Sequence, residues 1–446
     1  MASAAKPKSL TIRTYHVGFG DCFLLSFSYG GKSQRHVLID YGSTGLPPGT
    51  PKSRMMDIAK DIEKRTGGKL DAVVATHRHK DHISGFETKA RGKGAGKGTG
   101  DIIRSLSPKL VVQPWTEDPN LRPNAPGPSI GSNGKTVSKA KAFLAADTDH
   151  VARLSSMQTV AEYTMTQTRR TRYFGSQLRK QFYFLGESNI NNPSAVKNLM
   201  TMAKKNVYVY AGKKSGLEGI LPGVKVDVLG PPTVRQTATI KKQRSKDPDE
   251  FWHFQAAAMR HAEDAARDKT PLFPEHVRSH GPVFPVNSRW LIYHARNIRG
   301  SQLLQIVRML DKAMNNTSII LLFRIGKTSL LFPGDAQIEN WQYALSDRDN
   351  LKLLSSVNVY KVGHHGSLNA TPKTLWQGFK NRSKDRNEKR RLLSLMSTME
   401  HKHGSEESHT EVPRTALVSA LKTQSTLFST QELTGEAFYH ETTLKF

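Results

Sequence analysis

Three histidines and an aspartate fall within six residues in Thr76-His77-Arg78-His79-Lys80-Asp81-His82, directly after the apolar run Leu70 to Ala75. Imidazole nitrogens and carboxylate oxygens are the donors that a borderline divalent ion such as Zn²⁺ accepts. Alternate residues leaving a strand can share one cavity while the last two turn onto a neighbouring position, so the spacing suits two metals. Asp40 follows the apolar residues Leu38-Ile39, and Asp335 closes Leu330-Leu331-Phe332-Pro333-Gly334 in the same way. A carboxylate at the mouth of a sheet is costly unless it is hydrated or coordinated. Tyr360-Lys361-Val362-Gly363-His364-His365-Gly366-Ser367 ends a further strand pattern, with glycines that let the backbone come close to a site.

Such donors need a rigid frame, and the pattern supplies one. Leu10 to Val17, Cys22 to Tyr29 and His36 to Tyr41 read as an antiparallel meander. A helix is expected over 53–65, stopped by Gly67-Gly68, and Leu70 to Ala75 reads as a buried strand. Helix Ile102 to Leu106 and strand Leu110 to Gln113 follow, then strands at Val207 to Tyr210 and Val224 to Leu229. Trp290 to His294 reads as a strand, Leu303 to Met314 as a helix, Ser318 to Ile325 with Ser329 to Phe332 as a hairpin, and Val357 to Val362 as a strand. Strands alternating with helices indicate the α/β class.

The order Asp40, His77-x-His79-x-Asp81-His82, Asp335, His364-His365 resembles the metallo-β-lactamase superfamily. His16-Val17-Gly18-Phe19-Gly20-Asp21, the Phe-Pro-Gly-Asp around Asp335, and Lys361 to Ser367 are similar to the hydrolase domain of ComEC-type competence proteins. The resemblance implies an αββα sandwich with a binuclear site at one sheet edge. It places His77 and His79 on the first metal, Asp81 and His82 on the second, and Asp335 between them. One of His364 and His365 completes the second site, with His364 favoured as the first polar side chain past the strand, and the other, His365, faces substrate or its phosphate. Asp40 orients a ligand, and Asp21 either braces the same edge or is a turn residue. The implied cofactors are two divalent ions, Zn²⁺ or Mn²⁺. Asp81 then binds metal and holds the activated water, so Asp81→Ala or His79→Ala is expected to abolish turnover. The chain departs from the superfamily pattern in having no histidine between Asn315 and Asp335, where a third ligand of the first metal often lies. Asn315 or Asn316 occupies that neighbourhood, and one of His401, His403 and His409 could line the site. Cys22 reads as a small core side chain and His294 as a core or surface histidine.

A length of 446 residues allows one to three domains. The expected hydrolase domain spans 9–425, with its core over 9–112, 205–232 and 290–425. It is interrupted by a mostly helical insertion at 113–204 and a basic insertion or lid at 233–289, and 426–446 forms a C-terminal extension. No run of 18 apolar residues and no apolar leader occur, and Cys22 is the lone cysteine, so a cytoplasmic location without a membrane span is expected. Subtracting 38 acidic from 66 basic residues leaves a formal charge of +28, a field that draws polyanions. Lys89, Arg91, Lys93 and Lys97 follow the histidine motif, further clusters lie at 241–246 and 380–391, and Lys361 sits beside the second histidine pair. These point to phosphate or nucleic-acid binding and to a phosphodiesterase or nuclease acting on DNA, RNA or a nucleotide. A lactone or ester hydrolase and a non-catalytic nucleic-acid-binding module are the alternatives.

Overall fold

The computed structural model describes residues 6–121 except 32, 48, 91 and 93, then 125, 127–128, 192–237, 313–400, 402, 411–433 and 437–446. Strands β1 (Ser9–Tyr15), β2 (Cys22–Gly30) and β3 (Ser33–Tyr41) make the expected antiparallel meander. Strands β4 (Ala72–Val74), β5 (Leu110–Pro114) and β6 (Lys205–Val209) extend it in parallel. A second sheet holds β7 (Lys225–Gly230), β8 (Ile320–Ile325), β9 (Thr328–Phe332), β10 (Val359–Lys361), β11 (Leu393–Met396) and β12 (Thr426–Ser429). Its β7, β8 and β9 are antiparallel neighbours, whereas β9 to β12 run parallel.

Period-two alternation explains how the sheets meet. Phe23, Leu25 and Phe27 of β2 face Phe323 and Phe332 of the other sheet in one buried cluster, with the Phe23 and Phe332 rings 5.6 Å apart. Cys22 and Leu24 point the other way, onto α1 (Arg54–Thr66), α3 (Thr99–Ser105) and α4 (Pro193–Thr201), which follow the short helix α2 (Lys80–Ile83) in the numbering. The outer face of the second sheet is covered by α5 (Ile338–Ser346), α6 (Arg348–Ser355), α7 (Lys373–Gly378) and α8 (Thr415–Gln424) through Trp341, Leu354, Trp376 and Leu421. The result is a mixed α/β fold of two packed sheets with helices outside each. Both faces of the central strands are buried, which is why they read as continuous apolar runs.

The terminal residues correct one expectation. Residues 426–446 are no extension: β12 completes the second sheet, and β13 (Tyr439–Lys445) pairs with β1 from Ser9–Lys445 to Tyr15–Tyr439. The polar alternation of β13 hid it, because one side of that edge strand faces water. Helix α4 likewise belongs to the packed layer, through Ala195 and Leu199, although it lies in the stretch read as an insertion. Residues 122–124, 126 and 129–191 of that stretch, and residues 238–312 with the basic cluster at 241–246, the expected strand at Trp290 to His294 and most of the helix at Leu303 to Met314, lie outside the described residues. Among the described residues, no helix is long and apolar enough to cross a membrane.

Candidate metal centre

The parallel strands deliver the donors to one edge. Asp40 comes from the end of β3, His77 to His82 from the segment after β4, Asp335 from the turn after β9, and His364 and His365 from the turn after β10. Asp40 (φ +54°), His364 (φ +44°) and His365 (φ +52°) are all left-handed; among the described residues the only other non-glycine with positive φ is Ser107. Each such residue costs roughly 1–2 kcal/mol, so the surroundings must hold them there. Gly20 and Gly42 are needed for a different reason, close approach. A Cβ on Gly42 would lie 2.5 Å from the His82 nitrogen, and one on Gly20 would lie 2.6 Å from the Asp81 oxygen. Their absence lets the Asp21 amide donate to the Asp81 carbonyl at 3.0 Å.

Asp81, His82, Asp335 and His365 form a buried group whose ligand atoms all lie within 4.8 Å of one another. His82 Nε2 is 3.0 Å from Asp335 Oδ2 and 3.9 Å from Asp81 Oδ2. His365 Nε2 is 2.9 Å from Asp81 Oδ2 and 3.5 Å from Asp335 Oδ2, and the Phe19 ring packs 4.2 Å from its imidazole. The other ring nitrogens are committed. His365 Nδ1 donates to the Ser397 carbonyl at 3.0 Å, and His82 Nδ1 donates to Asp40 Oδ2 at 2.7 Å. Thr76 Oγ1 spends its only proton on the same Asp40 oxygen at 2.7 Å, so it can only accept from His77 Nδ1 at 3.2 Å. In their neutral forms, His77, His82 and His365 therefore all present an unprotonated Nε2. His77 Nε2 lies 2.9 Å from His79 Nδ1, a separation at which two lone pairs can converge on one cation.

Charge in this pocket is one-sided. Asp21, Asp40, Asp81 and Asp335 are each 1–4% exposed, and Lys361 is the ammonium buried among them at 2%. Four carboxylates against one ammonium formally leave three negative charges. Burial pushes Asp81 and Asp335 up, but the facing imidazoles, His82 first, outweigh it and hold both below the usual carboxylate range. Burial is the largest influence and disfavours charge on His82 and His365, yet the surrounding carboxylates, Asp335 first, together outweigh it and draw both above the ordinary histidine value. His77 goes the opposite way, held well below the ordinary value by burial and then by His82 and His79. Burial pushes Asp21 up against the pull of Lys361.

Several sequence expectations are redrawn. His365, and not His364, joins the four-residue group, because the left-handed turn swings the second imidazole inward and leaves His364 half-buried with its backbone amide on Asp335 Oδ1 at 3.2 Å. Lys361 does not face phosphate: it is buried on Asp21, with its ammonium 3.1 Å from the Gly334 carbonyl. Asp21 is a buried partner in the cluster and not merely a turn residue. Asn316 is occupied by Glu339 at 2.8 Å on α5, whereas Asn315 is fully buried with neither amide atom hydrogen-bonded. Lys89 and Lys97 are exposed on the loop between α2 and α3, on the edge where β4 ends. The 380–391 cluster instead leads into the start of β11, at the opposite edge of its sheet. Arg91, Lys93, His294, His401, His403 and His409 lie outside the described residues. Sequence reasoning missed Ser397 and Phe19 as supports of His365; only the position of Thr76, immediately before the motif, gave a usable signal. No protein-family model matches the chain, and no curated protein matches it.

Proposed function

We propose that this chain is a metal-dependent hydrolase of the metallo-β-lactamase type, holding two divalent cations. The observation that carries the reading is the polarity of the imidazoles: Asp40, Thr76 and Ser397 tie down one nitrogen of His82, His77 and His365, and the remaining nitrogens of His82 and His365 converge on buried carboxylates while that of His77 faces His79. Metal-binding histidines have this arrangement, in which a hydrogen bond to the far nitrogen fixes tautomer and orientation. Two packed sheets with helices outside each, and the order of donors along the chain, support the same assignment.

In this reading His77 and His79 would hold one ion, and Asp81, His82, His365 and Asp335 would hold the other. Imidazole and carboxylate donors suit Zn²⁺ and accept Mn²⁺. The three formal negative charges of the pocket suit the binding of cations. Bound there, the ions would lower the pKa of a water and offset charge growing on the attacked centre. Asp81 would accept a hydrogen bond from that water, Asp40 keeps His82 aimed, and the burial of the cluster limits competing solvent. The net charge of +28 and the exposed Lys89 and Lys97 on the same edge favour a phosphodiester, in DNA, RNA or a nucleotide, as substrate. The test is hydrolysis of bis-p-nitrophenyl phosphate, single-stranded DNA and RNA by metal-loaded protein. Turnover should vanish in Asp81→Ala and His365→Ala, and undiminished activity in both would overturn the reading.

A further inference from the structure

Lys361 ends β10 in the second sheet, yet its ammonium reaches Asp21, which precedes β2 in the first. The buried ion pair therefore crosses between the sheets at the base of the donor cluster. Each partner is also tied to a candidate ligand. The Asp21 amide donates to the Asp81 carbonyl at 3.0 Å, and Lys361 Nζ lies 3.5 Å from Asp335 Oδ1 and 3.1 Å from the Gly334 carbonyl. The two oxygens of Asp335 consequently have different neighbours. Oδ1 meets Lys361 and the His364 amide at 3.2 Å, while Oδ2 lies 3.0 Å from His82 Nε2 and 3.5 Å from His365 Nε2. A carboxylate turns broadly about its last torsion, so this division needs something to impose it.

We infer that Lys361 is a positioning residue that acts through Asp335, holding Oδ1 so that Oδ2 alone is presented to the metal ligands, with Asp21 as the counter-charge that seats the ammonium. The inference rests on the metal-centre reading above. A lysine suits the role because it is a compact charge on a long stem, able to contact a carboxylate, a carbonyl and a second carboxylate at once. Lys361 thereby couples the strand that carries the histidine turn to the loop that supports Asp81. Simple charge balance would make a different prediction: removing the ammonium would leave the pocket more negative and bind cations more tightly.

The experiment compares the full-length protein with Lys361→Met, Asp21→Asn and the double variant. Zn²⁺ affinity is read by chelator competition, the visible spectrum is read on the Co²⁺-substituted protein, and thermal melting is followed with and without metal. The double variant removes both members of the ion pair and so avoids stranding either one, which keeps it informative if a single variant fails to fold. The expected result is a Zn²⁺ affinity at least about tenfold weaker and a changed Co²⁺ spectrum in Lys361→Met, neither restored in the double variant. A double variant with wild-type affinity and spectrum overturns the inference and leaves charge balance as the role of the pair. Wild-type protein that takes up no cation contradicts the metal-centre reading itself, a result that the comparison of variants cannot mimic.

Discussion

His82 Nδ1 stands 2.7 Å from Asp40 Oδ2, and this contact decides which nitrogen of the ring can serve as a ligand. An ionised carboxylate only accepts, so the proton is on Nδ1 and the lone pair of the neutral ring is on Nε2. Thr76 reinforces the arrangement by donating to both Asp40 oxygens, from its amide and its hydroxyl, at 2.7 Å each. Asp40→Ala should therefore weaken metal binding about 10- to 100-fold, the range typical of removing such a partner. Asp40→Asn should fall between the two, because its amide oxygen can still accept from Nδ1. Chelator competition measures this, and equal affinity in Asp40→Ala and wild type would show that the ring needs no such support.

Two glycines with similar prospects on paper should behave differently. A Cβ on Gly42 would collide with the Asp81–His82 backbone, whereas one on Gly67, which ends α1 at φ +58°, meets nothing within 4 Å. Gly67→Ala should cost about 1 kcal/mol of backbone strain and leave metal content unchanged. Gly42→Ala should cost about 1–3 kcal/mol and also deplete metal, because the displaced backbone belongs to Asp81 and His82, two of the proposed ligands. Urea midpoints paired with metal analysis separate these outcomes.

Much of this edge was legible because ligands must follow strands in sequence before they can meet in space. Asp40, the His77 to His82 segment and Asp335 each announced themselves as polar groups directly after apolar runs. The choice between His364 and His365 was not legible, since it depends on two consecutive left-handed residues that no side-chain pattern encodes. Lys361 misled for a related reason: in sequence it is one more cation in a basic chain, and only the pairing of β10 with its neighbours shows that it points inward. Strand β13 escaped notice because edge strands with one wet face lack an apolar run. The 380–391 cluster reads in sequence as a further phosphate-binding stretch, because charge alone does not say which end of a strand a loop joins.

Acid stability offers a test away from the cluster. His36 is buried on β3 with Nδ1 2.9 Å from Ser26 Oγ, and burial, aided by Arg65 and Arg35 against Asp71, lowers it to about 4. Below an unfolded-state value of about 6.5 the unfolded chain takes the proton first, so stability falls as pH drops toward 4 and then levels off. The loss attributable to His36 is of order 3 kcal/mol. His36→Gln should flatten the urea-midpoint profile between those limits; an unchanged profile would mean that the ring titrates as it does in water.

The positions of the basic loops predict a division between binding and chemistry. Replacing Lys89 and Lys97 with alanine should leave turnover of bis-p-nitrophenyl phosphate within about twofold while reducing the salt dependence of nucleic-acid binding by roughly one unit of slope for each phosphate no longer neutralised. Replacing the exposed Lys384, Arg386, Lys389 and Arg390, at the far edge of the second sheet, should change neither the chemistry nor the cleavage of a short oligonucleotide. Salt titrations of binding and cleavage for both variants decide the matter.

The most direct measurement is the metal content of the purified chain after equilibration with Zn²⁺ or Mn²⁺, compared with that of Asp81→Ala and of Asp335→Asn. Two ions per wild-type chain are expected, with at least one lost in each variant and hydrolysis lost with it. A wild-type chain that binds no ion under saturating conditions, or variants that keep both, would contradict the assignment of this edge as a binuclear centre.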